Sequence, residues 1–291
     1  MVKYGKRFIF PLYIPLISNF VNKYIAHLPF IEKFCLIEYI VARPVDRENM
    51  EKYSVSIVIP ARNEKGNIKR ALDLTPVMGK FTEIIFVEGN STDETWSEIK
   101  KQCKEYRGQC RLKFMQQEGK GKGDAVRKGF ANASGDILMI LDADLTVPPQ
   151  ELPKFYGAIA NNKGEFINGC RLIYPMDKQA MRFLNLLGNH FFANMFTWLL
   201  GQNIKDTLCG TKVLWKKDYE TIVANRKFFG DFDPFGDFDL IFGASKLALK
   251  IIDLPIRYKE RTYGTTNISR FKHGLILLRM CGFAARKIKF V

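Results

Sequence analysis

The 291-residue chain contains no C-x-x-C pair and only three histidines, His27, His190 and His273. A structural zinc site built from Cys and His is therefore not expected. The six cysteines stand at positions 35, 103, 110, 170, 209 and 281. Such scatter in a chain of this length does not make a disulfide framework, and reduced thiols are expected. Nowhere is there the run of about 20 apolar residues that a spanning helix needs. The nearest approach, Phe8 to Ile17, is ten residues long and carries Pro11 and Pro15, and no small-residue cleavage site follows it. The expectation is a soluble or peripheral protein in which that stretch is a docking segment or part of the core. Repeats and low-complexity linkers are also missing. Acidic residues are scarce, 30 against 45 Lys and Arg, so the net charge is +15. That excess calls for an anionic partner, whether nucleic acid, a membrane surface or a phosphorylated small molecule. With 47% hydrophobic and 26% charged residues, the composition is that of a globular chain and excludes disorder and collagen.

What is present is an alternation of strands and helices. Val55 to Pro60, Glu83 to Val87, Leu112 to Met115 and Ile137 to Leu141 read as short buried strands. Between them lie helical patterns over 67–77, from Ser91 or Thr92 to about 106, and over 123–133; Pro148-Pro149 opens another to about 160. The later part predicts strands at 166–172, 211–215 and 251–258 and helices at 180–200, from 217, at 239–249 and at 271–289. This order implies an α/β fold with a mostly parallel sheet covered by helices on both faces. We divide the chain into an N-terminal extension (1–50), a catalytic domain (51–261) and a basic C-terminal arm (262–291).

Four polar turns fall at strand ends, where such sheets bind ligands. Asp142-Ala143-Asp144 follows the apolar strand ILMIL. Residues two apart on extended chain point to one side, and two adjacent carboxylates need a counter-charge that a divalent cation supplies while bridging to diphosphate oxygens. Lys120-Gly121-Lys122-Gly123-Asp124 opens a helix with glycines and lysines suited to an anion. It matches neither a Walker A loop nor a dinucleotide fingerprint. Pro60-Ala61-Arg62-Asn63-Glu64 and Val87-Glu88-Gly89-Asn90-Ser91-Thr92-Asp93 end the first two strands with groups suited to a base and ribose.

These blocks, I-V-I-P-A-R-N-E, V-E-G-N-S-T-D-E-T, G-K-G-D-A-V-R-K-G-F and G-D-I-L-M-I-L-D-A-D, resemble glycosyltransferase family 2 in order and spacing over about residues 54–261. Phe238-Asp239-Leu240, then Leu254-Pro255-Ile256-Arg257-Tyr258 with Arg261, Gly264 and Thr265, is similar to the dolichyl-phosphate mannosyltransferase branch. The resemblance implies a GT-A fold, a UDP- or GDP-sugar donor, a Mg2+ or Mn2+ ion and inversion at the anomeric carbon. It implies base and ribose contacts at Pro60, Ala61, Asn63, Glu64 and Glu88, the last replacing the more usual Asp. Lys122, Gly123 and Asp124 fall beside the nucleotide, and Asp142 and Asp144 at the metal and diphosphate. Asp237 falls near the motif that supplies a base in many members, and Arg261 and Arg270 match phosphate-holding cations. A base is needed if the acceptor is a hydroxyl. With a phosphate acceptor Asp237 would only position groups.

The acceptor is expected to be membrane-linked, a polyprenyl phosphate or the like. Residues 257–291 hold nine Lys or Arg and one acid, Glu260. Lys272, Arg279 and Arg286 repeat every seven residues, so the last helix is expected to be amphipathic and to bind anionic lipid. Residues 180–200 show a polar stripe (Arg182, Asn185, Asn189, His190, Asn194, Thr197) beside an aromatic-rich face, read either as a core helix or as an interfacial one. Peripheral attachment to the cytoplasmic face of a membrane follows. A soluble or polysaccharide acceptor is the alternative. Nucleic acid is not an expected partner, since the charge comes with no recognisable nucleic-acid-binding motif.

Overall fold

A computed structural model describes residues 2–42, 53–174, 183–225, 238–261, 263 and 270–290. Two sheets organise them. The smaller is a hairpin in which β1 (Lys3–Arg7) pairs antiparallel with β2 (Ile37–Val41). The segment between the strands carries helix α1 (Ile17–Lys23) and two short 3-10 turns. None of this was expected from the sequence, where prolines and the absence of alternation masked it.

The larger sheet has seven strands: β3 (Val55–Ala61), β4 (Thr82–Glu88), β5 (Arg111–Gln116), β6 (Ile137–Ile140), β7 (Phe166–Cys170), β8 (Lys212–Trp215) and β9 (Ile251–Pro255). Their spatial order is β5-β4-β3-β6-β8-β7-β9. β3, β4, β5 and β6 run parallel, β8 runs antiparallel to both of its neighbours, and β7 pairs parallel with β9. Each expected strand of the catalytic region is present. The helices are α2 (Ile68–Leu74), α3 (Thr95–Glu105), α4 (Gly121–Ala131), α5 (Leu152–Ala160), α6 (Phe183–Leu200), α7 (Lys216–Ala224), α8 (Phe238–Lys246) and α9 (Arg270–Ala284), the last continued by a π-helical turn, Ala285–Lys289.

Alternation along the central strands creates two cores. Val55, Ile57 and Ile59 of β3 point to one face with Ile137, Met139 and Leu141, against α2, α3 and α5. Val58, Leu138 and Ile140 point to the other, against α4, α6, α8 and α9. A strand buried on both faces shows no polar alternation, which is why ILMI reads as a continuous apolar run and VSIVI as one broken only by Ser56, which donates to Glu83.

Two helices differ from the amphipathic picture. In α6, Phe192, Phe196, Leu199 and Leu200 are core, and Asn189 of the expected polar stripe is buried while Phe191 and Leu187 are exposed. In α9, Leu277, Met280, Cys281 and Ala284 form a buried i, i+3, i+4, i+7 stripe. This stripe of the C-terminal helix therefore packs against the core, and Leu275 and Leu278 lie on the exposed side with Arg279 and Arg286. All six cysteines are free.

Candidate functional site

β3 sends its crossovers through β4 to β5 on one side and pairs with β6 on the other. The chain direction splits at the carboxyl ends of β3 and β6, which is the crevice where parallel sheets bind ligands. Three of the turns there hold a non-glycine residue in the left-handed region: Asn63 (φ 57°) after β3, Asn90 (φ 56°) after β4 and Leu145 (φ 53°) after β6. Asn enters that region readily, whereas Leu does so at a cost of about 1 kcal/mol or more.

The first two turns are laced together. Asn63 N–H donates to Ser91 Oγ (3.0 Å), and Thr92 N–H donates to Asn63 Oδ1 (2.8 Å). Glu64 N–H donates to Thr95 Oγ1 (2.9 Å). Ser91 and Thr92 thus tie loops rather than cap α3. That helix begins at Thr95, whose N–H donates to Asp93 Oδ1 (2.9 Å). Glu88 is buried at the end of β4, and its carboxylate accepts from Ser91 N–H (2.5 Å) and Gln116 Nε2 (2.9 Å). Asp124 accepts from Gly119 N–H (2.9 Å), closing the turn that leads into α4. Ala61 and Gly123 are buried, and Pro60 is half-buried at the end of β3.

The charged centre is made across long sequence distances. Arg261 donates from one nitrogen to Glu64 Oε1 (3.1 Å) and from another to Asp144 Oδ2 (2.7 Å). Asp144 also accepts from Thr146 N–H (3.1 Å) and Oγ1 (2.9 Å). Lys122, in the first turn of α4, meets Asp142 at 2.7 Å. Five of the expected residues, Glu64, Lys122, Asp142, Asp144 and Arg261, therefore converge. Burial pushes the Glu64 carboxyl up to about 7, and the charges of Asp144 and Asp142 push the same way against Asn67 and Arg261.

Asp142 and Asp144 present carboxylate oxygens, the hard donors that Mg2+ and Mn2+ take. Among the described residues no three His, Cys, Asp or Glu side chains converge into a closed cage. Asp142 further lies against the backbone of Gly210, where any Cβ would collide with its carboxylate and with the Lys122 ammonium.

Gly210 was missed at the sequence level, though a glycine just ahead of β8 was the available signal. Also missed was the buried support below it. Arg171 grips Asp206 with two nitrogens (2.7 and 2.8 Å), and Asn189 Nδ2 (3.0 Å) and the N–H groups of Leu208 and Cys209 donate to the same carboxylate. Burial would raise the Asp206 pKa, but Arg171 and these donors hold it at about 2. The pair fixes the 206–212 turn, and with it Gly210, against the site. Arg171 also lies over the Tyr258 ring at 5.2 Å. Asp237 lies outside the described residues, as does the side chain of Arg270.

The profile described as glycosyl transferase family 2 matches residues 56–223, more than half of the chain. The chain belongs to glycosyl transferase family 2. It is 34% identical over 109 residues to a dolichol-phosphate mannosyltransferase of Pyrococcus furiosus, covering 37% of this chain and 30% of that one. It is 33% identical over 225 residues to an undecaprenyl-phosphate 4-deoxy-4-formamido-L-arabinose transferase of Enterobacter sp., covering 75% and 63%. The chain thus spans less than two thirds of the length of either relative. Its fold is similar to glucosyl-3-phosphoglycerate synthase from Mycobacterium tuberculosis, solved with Mn2+, UDP and glucosyl-3-phosphoglycerate (TM-score 0.57, 18% identity, 84% of this chain and 88% of that one). The fold of this family 2 member is the GT-A arrangement of a mostly parallel sheet flanked by helices.

Proposed function

We propose that this family 2 protein is an inverting glycosyltransferase. In this reading it moves a sugar from a UDP- or GDP-sugar to a lipid-linked phosphate acceptor of the polyprenyl type. The observation that carries the reading is the convergence of Glu64, Lys122, Asp142, Asp144 and Arg261 at the split between β3 and β6. The relatives that transfer sugars to dolichol phosphate or undecaprenyl phosphate support the acceptor class.

The laced turns at Asn63 and Glu88 form a rigid floor for the base and ribose. Lys122 pairs with Asp142 and Arg261 with Glu64 and Asp144, and a donor diphosphate would compete for the same two cations. Direct displacement builds negative charge on the departing diphosphate, so cations already placed beside it lower the barrier. Asp142 and Asp144 would hold Mg2+ or Mn2+, which when bound supplies further charge neutralisation to the leaving group. Pro60, Ala61, Gly123 and Asp124 shape the nucleotide turns, and Arg270 adds a phosphate contact. Asp237 acts as base if the acceptor is a hydroxyl and as a positioning group if it is a phosphate. The catalytic unit is 51–261, and the enzyme works at the cytoplasmic face of a membrane. Among the described residues no helix is long and apolar enough to cross one.

The test is turnover of UDP- and GDP-sugars with polyprenyl phosphate, with Mn2+ and then with excess chelator. Asp144→Asn is expected to lower turnover at least a thousandfold, about 4 kcal/mol of transition-state stabilisation, with the unfolding temperature unchanged. Full activity in that variant or in chelator overturns the metal assignment. Transfer to a water-soluble acceptor but not to polyprenyl phosphate overturns the acceptor class.

A further inference from the structure

The N-terminal hairpin holds a lobe that the catalytic reading does not use. Residues 8–36 leave β1 and return to β2 through a closed neck, where Leu36 N–H donates to Phe8 O at 2.6 Å. Inside the lobe, only Ser18, Ala26 and His27 are buried. Residues 11–17 are exposed without a break. Large apolar side chains stand in water: Leu12 is 67% exposed, Tyr13 77%, Leu16 84%, Phe30 77% and Phe34 72%. More than half of the exposed large hydrophobics among the described residues belong to residues 4–40. On α1, Ile17 and Phe20 are exposed at i and i+3, so the helix turns an apolar face outward. A soluble surface scatters such residues singly and does not gather them.

Backbone geometry favours the outward set. Phe8, Leu16 and Phe30 have φ of 62°, 67° and 71°, a region that bulky side chains avoid.

The base of the lobe is anchored to the catalytic unit. Trp198 Nε1 donates to His27 O at 2.7 Å. Phe290 packs 5.5 Å from the Tyr24 ring and 5.9 Å from Trp198, and the Lys289 ammonium lies 5.4 Å from the Trp198 ring. Cations collect around this base. Lys3, Arg7 and Lys289 neighbour one another there; over residues 2–42 as a whole Lys3, Lys6, Arg7, Lys23 and Lys33 outnumber the acids Glu32 and Glu38, Lys33 lying over the Phe30 ring, and Arg279 and Arg286 are exposed near the C-terminal end. Burial and the neighbouring positive charges, Arg7 foremost for Lys3, lower the pKa of both Lys3 and Lys289. Exposed apolar side chains interleaved with an excess of cations suit a segment that sits in the headgroup region of an anionic bilayer. The apolar side chains enter the acyl boundary and the cations stay with the phosphates.

We propose that the 8–36 lobe is a monotopic insertion element that seats the protein on an anionic lipid surface. It extends the membrane-acceptor reading above, and it moves the principal membrane contact from the C-terminal helix, whose apolar stripe is core, to the N-terminus. The C-terminal cations then contribute attraction and the lobe contributes depth.

Vesicle sedimentation of the full chain tests this, using phosphatidylcholine with and without phosphatidylglycerol. The wild type is expected to partition to the anionic vesicles and to keep a measurable part of that binding at high salt, where charge attraction is screened. Combined Leu12→Ser, Tyr13→Ser and Leu16→Ser should lower partition at least tenfold, with unfolding temperature and nucleotide-sugar binding unchanged. Leu16→Ser alone should lower it measurably, which keeps the test decisive if the triple variant fails to fold. Combined Lys272→Gln, Arg279→Gln and Arg286→Gln should lower only the salt-sensitive part. Equal partition of wild type and lobe variants overturns the proposal. So does a wild-type dimer in solution that Leu16→Ser dissociates, since a second copy would then cover the lobe. Lost vesicle binding with transfer to detergent-solubilised polyprenyl phosphate intact removes the lobe proposal alone. Vesicle binding without any such transfer removes the functional reading alone.

Discussion

Strand β3 buries Val55, Ile57, Val58 and Ile59 completely, whereas strand β2, with a similar apolar content, leaves Ile37 49% and Ile40 63% exposed. The two stretches, VSIVIPA and IEYIV, differ little in β propensity. They differ in what lies beyond them. β3 has strands on both sides and helices on both faces, while β2 has one partner, β1. The catalytic region therefore draws its stability from apolar burial, and the hairpin lobe draws little from its own. A lobe that keeps its largest side chains in water is held up by its neck and by Trp198 and Phe290, and it is free to give that surface to something else.

Substitutions of matched size in the two regions sharpen this contrast. The largest stability effect is expected at Arg171→Ala, which leaves Asp206 buried without its cation; loss of a buried partner costs about 3–5 kcal/mol, read by denaturant unfolding. Ile57→Ala, which opens a cavity between the sheet and α2, should cost about 2–4 kcal/mol in the same assay. Glu64→Gln is a smaller and pH-dependent case. Because the folded-state pKa is raised to about 7 from an ordinary value near 4.3, the native state holds a proton there that the unfolded chain has lost. Wild-type stability should therefore fall as pH rises between these values, by about 1–3 kcal/mol, while the Gln variant stays flat across that window. Thermal unfolding at pH 5 and pH 8 checks the sign, and a wild type that gains stability relative to Glu64→Gln over this interval would contradict it. The smallest effect belongs to Leu16→Ala in the lobe, expected within about 0.5 kcal/mol of wild type. A cost comparable to that of Ile57→Ala would show that the lobe is a hidden core, and the contrast between the two regions would collapse.

The strands of the large sheet were legible because each is a short apolar run bounded by Gly, Pro, Asn or Asp. The D-A-D turn was legible for the same reason, since it ends one of those runs. The start of α3 was not, because Ser91 and Thr92 are good caps whose side chains and backbone are engaged by Asn63, 28 or 29 residues away. The hairpin lobe was not, because a face that stays apolar and exposed looks in sequence like a piece of core. The stripe on α6 misled in the opposite direction. Asn189 read as one member of a polar stripe, but it is buried against Asp206, and a buried polar group is marked only by the partner that satisfies it.

The sequence by itself determined the alternation of strands and helices, the polar turns at their carboxyl ends and the family to which they belong. These depend on residues close along the chain. Only the tertiary structure decided that Arg261 bridges Glu64 and Asp144, that Lys122 meets Asp142 beside Gly210, and that Arg171 locks Asp206. It also decided that Phe192, Phe196, Leu199 and Leu200 of α6 and Leu277, Met280, Cys281 and Ala284 of α9 are covered, while Ile17 and Phe20 of α1 are not. Charge pairing and burial are properties of what packs across long sequence separation, and no local pattern encodes which cation or which face will arrive.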